Sequence, residues 1–274
     1  MVNINKTIIP ELSTDIVELL DTEAERINSP SFISSDPVQF PRRYSSLPDI
    51  EIAALLSATI AWGNRTMICR NCDKMLSMMD SSPYEYVMEE AYETLDPDKN
   101  IHRTFFNRNL QYYLRGLRKI YNKYPTLADW AQSENIHGDE APSRSFTRHL
   151  LSVLAEANGG ASDSRCLPQD IDKTALKRIN MAFRWLVRDD GIVDMGVWSF
   201  IKPSQLLIPL DVHVGNVSRS LGLLTRKQND RKAVDELTSM LRALRPEDPV
   251  IYDFALFGIG IESKNKPAAT EIIL

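Results

Sequence analysis

The position that most favours chemistry is Asp211, which ends an apolar run and begins a predicted helix. The run extends from Leu206 to Leu210, and apolar residues then recur at positions 214, 217, 221 and 224, which is a helical spacing. A carboxylate at a helix N-terminus can cap the helix by accepting backbone N–H bonds. Held beside an apolar wall, it can instead orient a water or stabilise a developing positive charge, because the helix terminus favours its ionised form. Both roles are open from the sequence.

A second group with the residue types of a chemical site is the pair Cys69 and Cys72. These cysteines fall within an apolar helical stripe, and no second Cys or His pair follows at the spacing of a zinc site. Core packing is therefore the expected role. The sequence predicts no metal site and no cofactor, and it contains no phosphate-binding loop, nucleotide fingerprint or Ser-His-Asp order.

The elements that must position Asp211 are predicted to be helices almost throughout. Apolar residues recur at helical spacing within 68–79, 110–124, 146–154, 176–187, 214–224, 234–244 and 250–261. No segment alternates with period two, so the predicted fold class is all-α. Four prolines between Ser29 and Asp49 are too many for a helix interior, and this stretch is predicted to be an extended loop.

Composition indicates a globular protein of a reducing compartment. The chain has 274 residues, of which 43% are hydrophobic and 25% are charged, enough for one large or two small cores. Three cysteines in this length are typical of a chain that does not rely on disulfides. We expect a cytoplasmic protein, with no signal peptide and no membrane partner.

Charge is segregated along the chain. The formal net charge of -5 argues against a protein that coats nucleic acid through bulk positive charge. Residues 101–124 nevertheless contain six Lys or Arg and no Asp or Glu, and a second basic group lies between Arg219 and Lys232. Two interpretations stay open: a face for an anionic partner, or two solvated basic helices.

Three motifs resemble the helix-hairpin-helix DNA glycosylase superfamily, which includes the endonuclease III and 8-oxoguanine glycosylase relatives. The segment Ile208-Pro-Leu-Asp-Val-His-Val, followed by Arg219-Ser-Leu-Gly-Leu, is similar to the signature around the catalytic Asp of these enzymes. Glu51-Ile-Ala-Ala-Leu-Leu-Ser-Ala-Thr looks like their early helix, and Phe105-Phe-Asn-Arg-Asn-Leu looks like a later one. The whole chain also resembles a bacterial family of conserved hypothetical proteins related to these glycosylases, through Asn28-Ser-Pro-Ser-Phe, Asp36-Pro and Ala61-Trp-Gly-Asn-Arg65.

The resemblance implies a two-lobed helical fold of the glycosylase type with a cleft near Asp211. We expect an N-terminal helix and proline-rich loop over residues 1–50 and a glycosylase-like core over 51–274. The implied partner is duplex DNA with a damaged base, which such enzymes flip into the cleft. Asp211 would then stabilise an oxocarbenium-like sugar and position the attacking water.

Further site residues follow from the same resemblance. The candidates for contact with nucleic acid are Arg65, Gly196, Lys202 and Arg219. The candidates for the base pocket or for a side chain that wedges into the duplex are Trp62, Phe106, Trp198 and His213. For the aromatic residues core packing is an open alternative, and for His213 an orienting or packing role.

The hairpin before Asp211 departs from the glycosylase pattern. Lyase-competent relatives carry a nucleophilic Lys there, but neither Val193 nor Trp198, the two positions that alignment reaches, is a Lys. The resemblance therefore implies a monofunctional glycosylase. Asp189, Asp190 and Asp194 would also stand near a DNA phosphate, which disfavours tight duplex binding.

Two alternatives to a DNA glycosylase remain at this point. One is a non-catalytic module for nucleic-acid binding or interaction that kept the fold and lost the chemistry. The other is an enzyme that acts on a free nucleoside or nucleotide. An Asp211 that faces an open, partly aromatic cleft favours an enzyme, whereas an Asp211 buried as a satisfied cap favours the binding module.

Overall fold

The computed structural model describes residues 14–80 and 82–265, with only the backbone of residues 263–265. Within these residues the chain forms twelve α-helices and one two-stranded antiparallel hairpin. The helices are α1 (Thr14–Ile27), α2 (Pro30–Ile33), α3 (Leu47–Thr59), α4 (Arg65–Ser77), α5 (Pro83–Met88), α6 (Asn107–Tyr121), α7 (Leu127–Ser133), α8 (Pro142–Ala157), α9 (Lys177–Val187), α10 (Val212–Ser220), α11 (Arg231–Leu244) and α12 (Tyr252–Asn265). The prediction of an all-α fold is confirmed at this level.

None of the helices in the described ranges combines the length and the hydropathy that a membrane span requires. The first thirteen residues, over which the sequence predicts no signal peptide, lie outside those ranges.

Local capping explains where several helices begin. The side chain of Asn64 accepts the Met67 N–H at 3.1 Å at the start of α4, and Asp230 accepts the Ala233 N–H at 3.1 Å at the start of α11. Each cap satisfies an N–H group that has no partner inside the helix. These helices then follow the apolar stripes that the sequence predicts.

The buried apolar residues form two hydrophobic clusters. The first cluster draws mainly on α3, α4, α6, α8 and α9, and the second on α1, α10, α11 and α12. Helix α1 packs along α12, so the first and the last helix of the described residues are in contact. The residues before 51 contribute to both clusters, with Leu20 and Ala24 in the second and Val38 and Phe40 in the first, and the division at residue 50 stays a prediction.

The proline-rich stretch differs from the predicted extended loop. Pro30 begins α2, while Pro37 and Pro41 begin two short 3-10 turns, Pro37–Gln39 and Pro41–Arg43. Pro48 lies in the first turn of α3. Proline is tolerated at the start of a helix, where its missing N–H would have no partner in any case, so closely spaced prolines here start short helices.

The hairpin pairs β1 (Asn100–His102) with β2 (Phe105–Phe106) and is not predicted from the sequence. Its strands are too short for period-two alternation to be visible. His102 is fully buried, and its imidazole lies between Asn71 and the Trp62 carbonyl. The hairpin therefore contacts the segment that follows α3, through the hydrogen bond between His102 and the Trp62 carbonyl.

A buried carboxylate, Glu51, joins three parts of the first cluster. It accepts N–H bonds from Leu127 and Ala128 at the start of α7, each at 2.8 Å, and one from the Trp198 indole at 2.8 Å. The Tyr121 hydroxyl donates a fourth bond at 3.2 Å. Burial is the dominant influence and raises the pKa of Glu51 to about 7.

Candidate active site between the two hydrophobic clusters

A cavity of about 640 Å³ lies where the two hydrophobic clusters meet. The segment after α3, together with α4 and α9, supplies one wall, and α10 and α12 supply the other. Its polar lining is formed by Asp36, Asn64, Arg65, Lys177, Arg178, Arg184, Asp211, His213 and Asp253. The volume is that of a typical small-molecule site.

Asp211 caps α10 and lines the cavity with the same side chain. Its Oδ1 accepts the backbone N–H groups of His213 at 2.9 Å and Val214 at 3.0 Å. The side chain is 23% exposed, and its Oδ2 lies 3.9 Å from the Lys177 Nζ. One oxygen therefore caps the helix and the other faces Lys177, so the capping role is observed and the chemical role stays a prediction.

Lys177 is the most important residue that sequence reasoning missed. It is the first residue of α9, and its Nζ also donates to the Ala61 carbonyl at 3.5 Å. The apolar stripe of α9 predicts the helix, but nothing in the sequence places its first residue beside Asp211. The pair depends on how α9 packs against the segment that enters α10.

Trp62 forms an aromatic wall of the cavity. The Arg178 guanidinium carbon lies 5.3 Å from its ring centroid, and the His102 ring makes an edge contact with centroids 4.9 Å apart. His102 donates from Nε2 to the Trp62 carbonyl at 2.9 Å, which leaves Nδ1 to accept from Asn71. Burial lowers the pKa of His102, in keeping with a neutral ring. Trp62 is therefore held on both its ring and its backbone.

Arg65, the first residue of α4, also lines the cavity and is paired with Asp36. The two side chains form an ion pair of 2.6 Å. The guanidinium carbon also lies 4.8 Å from the Phe32 ring centroid and 5.0 Å from that of Phe257. The predicted contact with nucleic acid by Arg65 thus competes with a carboxylate and two aromatic rings.

Asp253 adds a second carboxylate, from the start of α12. It accepts a hydrogen bond from Arg184, which also contacts Asp194. Burial raises the pKa of Asp253 to about 6; Arg184 opposes this shift and Asp211 adds to it. The sequence carries no signal for this group, because its partner lies on α9.

Three predicted site residues meet at the cavity with Asp211: Trp62, Arg65 and His213. Trp198 does not. It is fully buried between Phe146, Phe183 and Glu51, so its expected place in the base pocket is corrected to the core. The long apolar side chain with one N–H donor fits a buried position that offers a carboxylate acceptor.

Phe106 also lies away from the cavity lining. It precedes α6, its backbone N–H donates to Asn109, and the Arg108 guanidinium covers its ring at 4.5 Å. The sequence could not exclude it from the pocket, because an aromatic residue at a helix start is compatible with either position.

The three other predicted contacts with nucleic acid are likewise absent from the cavity lining. Gly196 has a φ of +60°, and an added Cβ would lie 2.4 Å from the Asp189 Cβ. A glycine at this position therefore lets the backbone lie close to Asp189 within the segment 188–198. Lys202 is exposed and precedes a 3-10 turn. Arg219 donates to the Arg226 carbonyl at 2.8 Å and to Asn229 at 2.5 Å.

The basic segments are largely paired within the protein. In the first segment, Arg115 and Arg118 pair with Glu93 and Glu90, while Lys119 pairs with Glu156. Further pairs are Arg108–Asp98, Arg226–Asp230 and Arg231–Asp172. Six of the eleven Lys and Arg residues in the two segments are thus paired with carboxylates, which favours the interpretation of solvated helices.

The acidic residues in the segment 188–198, before Asp211, are also paired within the protein. Asp194 is fully buried and pairs with Arg184 at 3.3 Å and with Arg188 at 2.5 Å. Arg188 also pairs with Asp190 at 3.0 Å and Asp248 at 2.9 Å. The expected repulsion of a DNA phosphate by Asp190 and Asp194 is therefore much reduced.

No group of three or more His, Cys, Asp or Glu in residues 14–80 and 82–265 is placed to hold a metal ion. Cys72 is buried in α4, and the Cys69 thiol donates to the Ser35 carbonyl at 3.6 Å.

Comparison with known proteins yields one family. A family model described as "Protein of unknown function (DUF2400)" matches residues 36–262. This stretch includes every residue of the cavity lining except Phe32. No curated protein and no solved structure matches the chain.

Proposed function

Because the chain belongs to the DUF2400 family, whose description assigns no function, we propose an activity from the cavity itself: cleavage of an N-glycosidic bond in DNA. The observation that carries the proposal is the Asp211 carboxylate. One of its oxygens is fixed by two backbone N–H groups, and the other lies 3.9 Å from Lys177 at the lining of the cavity. A fixed carboxylate of this kind can stabilise the positive charge that develops on a sugar as its base departs.

The surrounding fold supports the same proposal. The order of α9, a segment over residues 188–198 without regular secondary structure, and a helix capped by Asp211 is the order that the resemblance to helix-hairpin-helix glycosylases implies. The cavity lies between two hydrophobic clusters and has the aromatic wall of Trp62, as a site for an extrahelical base requires.

Two nucleophiles are available for the sugar carbon. A water that hydrogen-bonds to Asp211 would give hydrolysis: its oxygen bonds the sugar carbon as the base leaves with the electron pair. One proton of the water stays on the new sugar hydroxyl, and the other passes by way of Asp211 to the departed base. The amine of Lys177, once it has lost a proton, would instead bond the same carbon while the bond to the base breaks and the base leaves with the electron pair. The amine's remaining proton then passes to the ring oxygen, and the ring opens to an imine that holds the sugar covalently. The monofunctional prediction rested on a hairpin without Lys, and Lys177 supplies an amine from α9 instead.

Base release from damaged duplexes tests the proposal. Purified protein is incubated with duplexes that each carry one damaged or mismatched base, and alkali then reveals abasic sites as strand breaks. Asp211→Asn is expected to slow release by about 100- to 1000-fold, the usual effect of removing a stabilising group of this kind. Asp230→Asn is the matched control, because Asp230 caps α11 in the same way away from the cavity lining.

Equal loss in both aspartate variants, or release that Asp211→Asn does not change, would contradict a catalytic Asp211. Reduction with borohydride then distinguishes the Lys177 amine from water as the nucleophile. A covalent protein–DNA adduct that forms with wild type and with Lys173→Gln, but not with Lys177→Gln, identifies the amine, because Lys173 is an exposed lysine just before α9. Release without an adduct indicates water.

The non-catalytic binding module is the second candidate. Ion pairs within the basic segments count against this module, while the cavity and the partly exposed Asp211 favour an enzyme. Salt-dependent binding to duplex with no base release from any substrate would establish the module instead.

A further inference from the structure

Charge is not balanced within the cavity lining. Arg65, Lys177 and Arg184 each have a carboxylate partner there, namely Asp36, Asp211 and Asp253. The fourth cation, Arg178, has none among the described residues within ion-pair distance. One positive charge is therefore left over at this residue.

The contacts of Arg178 use only part of its guanidinium. Nη1 donates to the Thr59 carbonyl at 2.6 Å and to the Arg165 carbonyl at 3.2 Å. In the described part of the chain, Nε and Nη2 have no hydrogen-bond acceptor. The edge formed by Nε and Nη2 is the fork that binds two oxygens of a phosphate or carboxylate.

The energetic state of Arg178 differs from that of the buried arginines nearby. Burial lowers the pKa of Arg178, and no carboxylate offsets this effect. Burial also opposes the charge of Arg184, but Asp194 and Asp253 outweigh it and the pKa of Arg184 is raised. A partly buried cation without a counter-ion is costly, and a bound anion removes that cost.

We propose that Arg178 binds a phosphate group of the ligand through its Nε–Nη2 edge, beside the Trp62 ring. A neutral base carbonyl could accept the same hydrogen bonds, but it would leave the surplus charge unbalanced. A single phosphate of a nucleotide accepts these hydrogen bonds and also balances the surplus charge. This inference rests on the proposed function for the identity of the ligand as a nucleotide, and the phosphate can come from a DNA strand or from a free nucleotide.

Binding to a duplex with one tetrahydrofuran abasic analogue tests the DNA source, because the analogue itself has no glycosidic bond to cleave. Fluorescence anisotropy is measured over a range of salt concentrations. Arg178→Gln is expected to weaken binding roughly 10- to 100-fold and to reduce the slope of log affinity against log salt by roughly 0.9, the value for one lost phosphate contact. Arg242→Gln is the matched control, since Arg242 also donates to backbone carbonyls, those of Ser204 and Leu206, away from the cavity lining.

Neutral phosphates locate the contact. Each phosphate beside the analogue is replaced in turn by a methylphosphonate. One replacement is expected to weaken wild-type binding as much as Arg178→Gln does, and to cause no further loss in that variant. Circular dichroism checks folding; if Arg178→Gln is unfolded, Arg178→Lys keeps the charge and is expected to show an intermediate loss because it lacks the fork.

Isothermal titration calorimetry tests a free nucleotide as the source of the phosphate. The ligands are 2′-deoxynucleoside 5′-monophosphates and the corresponding nucleosides. Monophosphate binding that Arg178→Gln abolishes, with no nucleoside or duplex binding, supports the phosphate site and assigns it to a free nucleotide. Wild-type protein that binds none of these probes, or Arg178→Gln that behaves like Arg242→Gln with all of them, overturns the inference. Base release plays no part in these measurements, so the glycosylase proposal and the phosphate site can fail independently.

Discussion

Replacing Glu51 by Gln should change how the stability of the protein depends on pH. Glu51 is fully buried, and burial raises its pKa to about 7 in the folded protein from an ordinary value of 4.5. The folded state therefore holds the proton more tightly than the unfolded state. As pH rises between these two values the unfolded state loses its proton first, so the free energy of unfolding falls.

The size of the effect follows from the shift. At about 1.4 kcal/mol per pKa unit, a change from 4.5 to about 7 corresponds to about 3 kcal/mol. Glu51→Gln cannot titrate, so this contribution disappears. We expect the free energy of unfolding of wild type, relative to that of Glu51→Gln, to fall by about 3 kcal/mol between pH ~4 and pH ~8.

Urea unfolding at a series of pH values measures this difference directly, and titrating groups common to both proteins cancel. Glu89→Gln is the control, because it makes the same substitution at an exposed position. A wild-type advantage that grows with pH would refute the reasoning. It would mean that the four hydrogen bonds to the carboxylate outweigh its burial and hold it ionised.

Two further predictions concern residues that the structure removes from the cavity. Gly196→Ala should destabilise the protein by about 1–3 kcal/mol more than Gly191→Ala, because both have positive φ but only Gly196 approaches Asp189; equal losses in urea unfolding would contradict that close approach. Trp198→Phe should cost about 1–3 kcal/mol through the lost bond to Glu51 and leave the affinity for the abasic duplex unchanged; weaker binding at undiminished stability would return Trp198 to the pocket.

Much of the secondary structure is written in local sequence. The stripe of apolar residues within 110–124 predicts α6, and the change from an apolar run to Asp211 predicts the start of α10. Helix periodicity and capping act over a few neighbouring residues, so a single sequence displays them. The prediction of an extended loop for the proline-rich stretch is wrong, because proline disfavours a helix interior but favours a helix start.

The candidate site was predicted only in part. Asp211, Trp62, Arg65 and His213 all line the cavity, and their roles stay predictions. Trp198 could not be placed from sequence, because an aromatic residue suits a core and a base pocket equally well. Its hydrogen bond to Glu51 decides for the core, and these two residues are far apart along the chain.

By itself the sequence determined an all-α chain with a carboxylate at the start of a late helix. Only the tertiary structure decided which charges meet: Lys177 with Asp211, Arg184 with Asp253, and Arg178 with no carboxylate among the described residues. The physical reason is range. Helix formation depends on residues three or four positions apart, whereas an ion pair depends on distances of a few ångströms that are set by the packing of every helix between its partners.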